Sequence, residues 1–369
     1  MEEPDDPSQT RYGCFLSDLT GLASGLSAGS SEAVYGDSFG HLQEVYSACT
    51  VAMVKKGVFM TLSAIQTVFS GNPLDRADTL RPEPTLLTDW ANRDDARCMV
   101  FAGDRILTGP DVGEIIWLTA SQMRFLPVAL KIFLGLDGAA PRYAARLAGS
   151  AEDFDGMFDH NRFRDARSIA TKRGMAEPEL GIIAQAKSIL DWHVSHRHCS
   201  KCGHESALVK GGYERECPDC GAQHFPRTDP VVIMLALSND RALVGRGYQW
   251  PEGLYSALAG YVEPGETIEE AVARELMEET NIHSCNVRYI CSQPWPWPSS
   301  LMIGCIADAT TTEITRDETE IEDARWVTKQ EAIKALQKGS GDETVDSDIF
   351  MPPPVAIAHT LIRHWVEHY

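Results

Sequence analysis

Residues 260–282 read Gly260-Tyr261-Val262-Glu263-Pro264-Gly265-Glu266-Thr267-Ile268-Glu269-Glu270-Ala271-Val272-Ala273-Arg274-Glu275-Leu276-Met277-Glu278-Glu279-Thr280-Asn281-Ile282. Thr267 followed three positions later by Glu270 is a capping-box start, and Ile268, Ala271, Val272 and Leu276 recur at helical spacing, so a helix begins after Thr267. At about 100° per residue, Glu275 and Glu279 fall in line with Ile268, Ala271 and Val272, and Glu278 sits at the edge of that stripe. Three carboxylates therefore share the side that faces the core. Burying an unpaired carboxylate costs on the order of several kcal/mol. Like charges this close raise each other's pKa, so the cluster calls for a cation. All-oxygen ligands select a hard divalent ion, Mg²⁺ or Mn²⁺, and Mg²⁺ usually completes its shell with water and substrate phosphates. That points to phosphoanhydride chemistry, with Arg274 orienting the carboxylates or touching phosphate. A solvated acidic helix face is the competing explanation of an E-x-x-E-E run.

The wider pattern favours the metal site. Gly260, Glu266, Arg274-Glu275-Leu276, Glu278-Glu279 and Ile282, at these separations, resemble the Nudix box. One position departs, because the family's glycine before the last aliphatic is Asn281 here. Just past the helix end Asn281 would take a left-handed conformation, which Asn tolerates best after Gly.

Upstream, Cys199-x-x-Cys202 is followed after fourteen residues by Cys217-x-x-Cys220, each pair trailed by a glycine, Gly203 and Gly221. Two such knuckles form a zinc ribbon, whose four thiolates close a tetrahedral shell around one structural Zn²⁺ and leave no open position for catalysis. Two disulfides or a redox pair are the alternatives, and they need an oxidising compartment or a thioredoxin-like context. His196, His198 and His204 flank the site and read as surface groups or as neighbours of the ligands.

Downstream comes Ser292-Gln293-Pro294-Trp295-Pro296-Trp297-Pro298-Ser299-Ser300-Leu301-Met302. Prolines at alternate positions forbid a helix and hold an extended loop that presents its aromatic rings stiffly. A proline-rich ligand for a recognition domain is one reading of this loop; a wall of the substrate pocket fits its place after the catalytic helix better.

Zinc ribbon, Phe225-Pro226-Arg227-Thr228-Asp229-Pro230, Nudix box and S-Q-P-W-P loop, in that order, resemble the NADH pyrophosphatase (NudC-type) family of Nudix hydrolases from about Pro73 to the C-terminus. The resemblance implies an α/β (α+β) chain with an N-terminal mixed α/β domain, a small zinc ribbon and a C-terminal Nudix α/β/α sandwich. It implies hydrolysis of the pyrophosphate of NADH or NAD to NMNH or NMN and AMP, with NAD-cap removal from RNA as a further activity, and a homodimer. ADP-ribose, dinucleoside polyphosphates, or a binding role for the ribbon towards nucleic acid or protein are the alternatives. By the same resemblance, Glu275, Glu278 and Glu279, the carbonyl of Ala259 and the distant Glu320 would hold Mg²⁺ or Mn²⁺, with Glu322 competing for the last place. Arg274 joins the glutamates in catalysis. Substrate contacts would come from Phe225, Tyr261, Gln293, Pro294, Trp295, Pro296, Trp297, Pro298, Ser299, Ser300 and the backbone near Ala358. The family often has tyrosine at the position of Phe225, so stacking is kept here and a hydroxyl hydrogen bond is lost.

Four segments follow: an extension over 1–70, an N-terminal domain over 71–192, the ribbon over 193–226 and the Nudix domain over 227–369. In the second, Arg97–Phe101, Glu114–Thr119 and Ala129–Leu134 read as strands, Gly135-Leu136-Asp137-Gly138 as a turn, and Glu177–Val194 as a helix. Val231–Leu237 suits a buried strand, 339–348 an acidic loop, and Val355–Glu367 a closing helix after a proline stop. The extension has an acidic start (Glu2, Glu3, Asp5, Asp6), unlike a secretory or mitochondrial peptide, and Lys55 and Lys56 interrupt its apolar run, which argues against a membrane span. Of the 10 cysteines, the six outside the ribbon have no framework spacing, which suits a reducing compartment. The chain ends Glu367-His368-Tyr369 without a peroxisomal tripeptide, leaving the cytoplasm as the expected location. A net charge of −20 repels nucleic acid at long range, so a small dinucleotide is the expected main substrate, with capped RNA needing a local basic patch.

Overall fold

The computed structural model describes residues 65–369 apart from 111, 112, 172–174 and 176. The acidic start and Lys55-Lys56 lie outside the described residues.

The first sheet is built from β1 (Arg97–Ala102), β2 (Arg105–Leu107), β3 (Leu118–Thr119), β4 (Val128–Asp137), β5 (Ala140–Leu147) and β6 (Phe163–Asp165). Its order is β4-β5-β1-β2-β6, with β3 also pairing β1. Helices α1 (Pro84–Ala91), α2 (Ala120–Met123), α3 (Ala166–Thr171) and α4 (Glu177–Ser195) complete this part. Two of the expected elements differ. Of Glu114–Thr119 only Leu118–Thr119 forms a strand, with Ile115 bridged singly to Thr108. Gly135 to Asp137 are not a turn but the end of β4, which absorbs a register shift between Phe133 and Gly135 and turns only at Gly138. At Gly135, φ is +146° and the Asp75 carbonyl packs where a Cβ would stand, so glycine serves a bulge there.

A three-stranded sheet follows, β7 (Ala207–Val209), β8 (Glu214–Glu216) and β9 (Gln223–His224). It is fastened to α4 by polar groups. Arg215 donates to His193 Nδ1 at 3.0 Å, and the other ring nitrogen of His193 donates to the Gly212 carbonyl at 2.8 Å. Burial pushes the His193 pKa down to about 4, which keeps the ring neutral and fit for both roles.

The last sheet contains β10 (Asp229–Ser238), β11 (Arg241–Arg246), β12 (Leu258–Tyr261), β13 (Ser284–Trp295), β14 (Ser300–Ala309) and β15 (Asp323–Thr328). Helix α5 (Ile268–Thr280) follows β12, while α6 (Lys329–Gly339) and α7 (Ile357–His368) follow β15. The strand order β13-β14-β10-β11-β15, with β12 on β10, repeats that of the first sheet element for element. In each sheet the central pair, β1 with β5 and β10 with β14, is parallel, and the other pairs are antiparallel. The repeat extends to the helix after the third strand: α2 and α5 both start from a threonine capping box, Thr119 with Gln122 and Thr267 with Glu270.

The proline-tryptophan stretch is a hairpin whose turn is 296–299. Ser292 to Trp295 complete β13, Ser300 opens β14, and Pro294 sits opposite Leu301 in the ladder. β13 is an edge strand, where a missing N–H costs no ladder bond on its free side, so proline is tolerated.

Candidate active site

α5 runs from the Thr267 cap to Asn281, which ends it in the left-handed conformation (φ 58°, ψ 26°) with its N–H returned to the carbonyls of Leu276 and Met277. The helix packs Ala271, Val272 and Leu276 under the sheet, and these residues are fully buried. Ile268 departs from the expected stripe and is 36% exposed in the first turn.

The same packing carries Glu275 and Glu279 inward, to 9% and 7% exposure. Gly260 on β12 faces the first of them: a Cβ at that position would overlap the Glu275 carboxylate. Glycine in the box is thus what lets an acid lie against the strand. Burial, and secondarily the charges of Glu278 and Glu320, hold the Glu275 carboxyl above its ordinary range despite Arg274. For Glu279, burial and then the charges of Glu275, Glu320 and Glu278 push the pKa up to about 8. Its Oε2 is buried and has no hydrogen-bond partner among the described residues.

Arg274 is committed to orientation. Its guanidinium makes a bidentate pair with Glu266 (2.6 and 2.9 Å), and it also reaches Glu275 at 2.7 Å, Glu278 at 2.9 Å and the Tyr261 carbonyl at 2.9 Å. Glu266, bound to Arg274 through a side-chain hydrogen bond, has its pKa lowered to about 2. Its place in the box spacing was visible in the sequence, but its grip on Arg274 was not. Glu278 points outward, its side chain 55% exposed.

The two distal acids part ways. Glu320 is exposed and its charge acts on both Glu275 and Glu279. Glu322 is engaged with Arg246 Nε at 2.6 Å. The segment bearing them is fastened to the catalytic helix, since Asp317 N–H donates to the Glu279 carbonyl at 2.9 Å. Ala259 pairs with Ile233 on β12, one residue from Gly260.

Phe225 and Tyr261 are 62% and 59% exposed, unusual for rings of this size, and the Tyr261 hydroxyl lies close enough to Arg227 to act on its charge. Arg227 itself is held by Asp229, which also accepts from Ser299 Oγ at 3.2 Å.

The remaining residues of the hairpin divide between internal packing and the wall of a cavity. Gln293 is 1% exposed, and its amide is consumed by backbone: it donates to the carbonyls of Val68 (3.0 Å) and Val355 (2.9 Å) and accepts from the Ile357 N–H (2.9 Å). It fastens three segments and has no polar atom left for a substrate. Trp295 and Trp297 pack on Phe69, with centroids 6.1 and 5.3 Å away, and join the apolar core of the first sheet. Pro296 and Ser300 are buried, Pro294 and Ser299 half-buried, and Pro298 exposed. A cavity of about 500 Å³ remains beside them, lined by Trp295, Ser299, Ser300, Thr228, Arg76 and Gln185 among others. Ala358 is buried at the second position of α7, where backbone N–H groups lack intrahelical acceptors.

The four ribbon cysteines converge: Cys199 and Cys220 sulfurs lie 3.6 Å apart, Cys202 and Cys217 sulfurs 3.4 Å, and all four fall within 4.8 Å of one another. Four sulfurs at such spacing fit one tetrahedral Zn²⁺. His196 and His198 are exposed, and His204 pairs with Asp219 at 3.3 Å, outside the set. His224, which sequence reasoning passed over, lies near enough to Cys199 to help lower its thiol pKa. The described cysteines are all unbridged.

A helix of buried glutamates over a glycine strand, on this mixed sheet, defines a Nudix hydrolase. Residues 227–346 match the NUDIX domain, residues 195–225 the NADH pyrophosphatase zinc ribbon domain, and residues 95–192 the NADH pyrophosphatase-like rudimentary NUDIX domain. The chain is 32% identical over 297 residues to the NAD-capped RNA hydrolase NudC of Mycobacterium bovis, with 79% of this chain and 92% of that protein covered. It belongs to the NADH pyrophosphatase (NudC-type) family of Nudix hydrolases. It is also 46% identical over 203 residues to the NAD-capped RNA hydrolase NUDT12 of Homo sapiens, covering 52% of this chain, and spans 43% of that longer protein. The NAD-capped RNA hydrolase of Schizosaccharomyces pombe is 39% identical over 220 residues, with 54% of this chain and 58% of that protein covered. The repeated sheet order has its explanation here: the first sheet is a second, rudimentary copy of the catalytic one. Among the described residues no helix is long and apolar enough to cross a membrane.

Proposed function

We propose that this protein hydrolyses the pyrophosphate bond of NADH and NAD, giving NMNH or NMN and AMP, and removes the NAD cap from RNA. The observation that carries the reading is one uncompensated acid: Glu279 Oε2 is buried without a partner, beside Glu275 and under the charges of Glu278 and Glu320. Carboxylate oxygens suit Mg²⁺ or Mn²⁺, which Glu275, Glu279, Glu278 and Glu320 would hold with the Ala259 carbonyl. When bound, the ion supplies charge neutralisation at the diphosphate and acidifies water.

The chain's own residues do the rest. Arg274 holds Glu275 and Glu278 in fixed rotamers by bonds that a substrate need not break. The proton of the attacking water passes to a carboxylate of the same cluster, within a wall that the fold has already desolvated. Phe225 and Tyr261 offer exposed faces on which a base stacks, and Arg227 beside them is a cation for ribose or phosphate oxygens. Gln293 is a positioning residue: it fixes the hairpin to Val68 and to the start of α7. The protein acts as a homodimer in this reading, as the resemblance implies. The relatives named for NAD-capped RNA support the RNA activity.

The test is hydrolysis of NADH with and without Mg²⁺, with products resolved by chromatography, alongside Glu279→Gln. Metal-dependent release of NMNH and AMP, lost in the variant, is the expected result. Cleavage of ADP-ribose but not NADH would overturn the substrate, and undiminished turnover in Glu279→Gln would overturn the site.

A further inference from the structure

We propose that Tyr248 and Trp250 form a second aromatic platform, on which the base at the other end of the dinucleotide stacks. The proposal rests on the NADH and NAD reading above. After β11 ends at Arg246, residues 247–254 leave the sheet and return at Leu254-Tyr255, and this loop exposes two large rings, Tyr248 at 55% and Trp250 at 39%.

The loop is rigid where rigidity matters. Arg246 donates to Glu322 at 2.6 Å, to the Trp250 carbonyl at 3.0 Å and to the Pro251 carbonyl, and its own carbonyl accepts from the Glu322 N–H at 2.8 Å. Tyr248 Oη donates to the Glu318 carbonyl at 2.6 Å, which leaves the face of the ring free. The Trp250 indole packs over Gly247, whose missing Cβ would lie 3.5 Å from the ring. Both rings are therefore tied to the segment that carries Glu320, and that segment is bonded to the end of the catalytic helix through Asp317 and Thr315.

Position makes them complementary to Phe225 and Tyr261. β12 lies between β10, whose entry carries Phe225 and Arg227, and the end of β11, joined to it by the Gly245–Ser256 bridge. One aromatic pair thus lies on the β10 side of β12 and the other on its β11 and β15 side. A diphosphate that joins two nucleosides, held through the ion that Glu275 and Glu279 would bind, would send one base towards each pair.

Steady-state kinetics of wild type, Trp250→Ala, Trp250→Phe and Phe225→Ala on NADH and on ADP-ribose tests this, with zinc content and melting temperature as checks on the fold. Trp250→Ala and Phe225→Ala should each raise KM for NADH by about tenfold, the order that one stacked base contributes, with kcat little changed. Trp250→Phe, which keeps a π face, should stay within about threefold of wild type. ADP-ribose has one base, so only one of the two alanine variants should affect it. Any other pattern, with wild-type turnover intact and folded variants, overturns the platform. Failure of the wild-type protein to cleave NADH would overturn the activity reading instead.

Discussion

Replacing Glu279 by Gln should make the metal-free protein more stable while it abolishes hydrolysis. In the native state the Glu279 pKa is raised, by burial first and by Glu275, Glu320 and Glu278 next, from 4.5 to about 8. A native pKa above the unfolded one means that the folded state binds the proton more tightly, so stability falls as pH rises from about 4.5 to about 8 and levels off beyond. At about 1.4 kcal/mol per pH unit the interval corresponds to a ceiling of about 5 kcal/mol. Mutational experience with uncompensated buried polar groups brings the expected effect to about 1–3 kcal/mol. For a unit of this size that is a rise of about 2–5 °C in melting temperature at pH 8, shrinking as pH approaches 5. The assay is calorimetry in zinc-replete buffer without Mg²⁺, repeated with Mg²⁺ added. Mg²⁺ at a hundredfold excess over its dissociation constant should stabilise the wild type by about 2.7 kcal/mol and the variant far less. A variant that melts below wild type at pH 8 without Mg²⁺, or equal stabilisation of both by the ion, would refute the reasoning.

Glu320→Gln should cost about 10–100-fold in Mg²⁺ affinity or turnover. Glu322→Gln, which breaks only a half-exposed pair with Arg246, should stay within about fivefold; titration of activity against Mg²⁺ separates them. Gln293→Ala strands the Val68 and Val355 carbonyls and the Ile357 N–H, and should lower stability by about 2–4 kcal/mol, read as a shift of the melting transition. Cys217→Ser should lose most of its zinc by elemental analysis and loosen 195–225, seen as new protease cleavage there.

What the sequence revealed was chemistry confined to a few neighbouring residues. The Thr267 capping box, the left-handed Asn281 and the four converging cysteines are each decided within a turn or a knuckle, and all appear where local rules put them. The hairpin over 292–302 was legible in part: the loop reading fits the turn at 296–299, while Ser292–Trp295 join β13, whose place at a sheet edge lets proline enter a strand. Gln293 looked like a polar group awaiting a ligand. Its three backbone partners lie 62 to 225 residues away, and no window on the sequence contains them. Arg246, Tyr248 and Trp250 were passed over for the same reason, since their meaning comes from contact with 318–322.

The repeated sheet shows how one fold is divided between chemistry and support. Both copies reach the same point: a third strand beside the first, then a threonine cap with its reciprocal Gln122 or Glu270. After Thr267 the helix runs through Glu275 and Glu279 to Thr280. After Thr119 it stops at Met123, because Pro127 disfavours helical backbone at the residue before it and the chain must enter β4 at once. Four residues cannot carry acids a turn apart against the strand, so the first copy has nowhere to build the cluster. Trp295 and Trp297 pack on Phe69 against the opposite face of that sheet, the one that carries α4. The hairpin is thereby rooted in the copy without a catalytic helix. Changes at Phe69 should consequently be felt as lost substrate selectivity before lost metal binding, since the acids hang from α5 and the hairpin hangs from the first sheet.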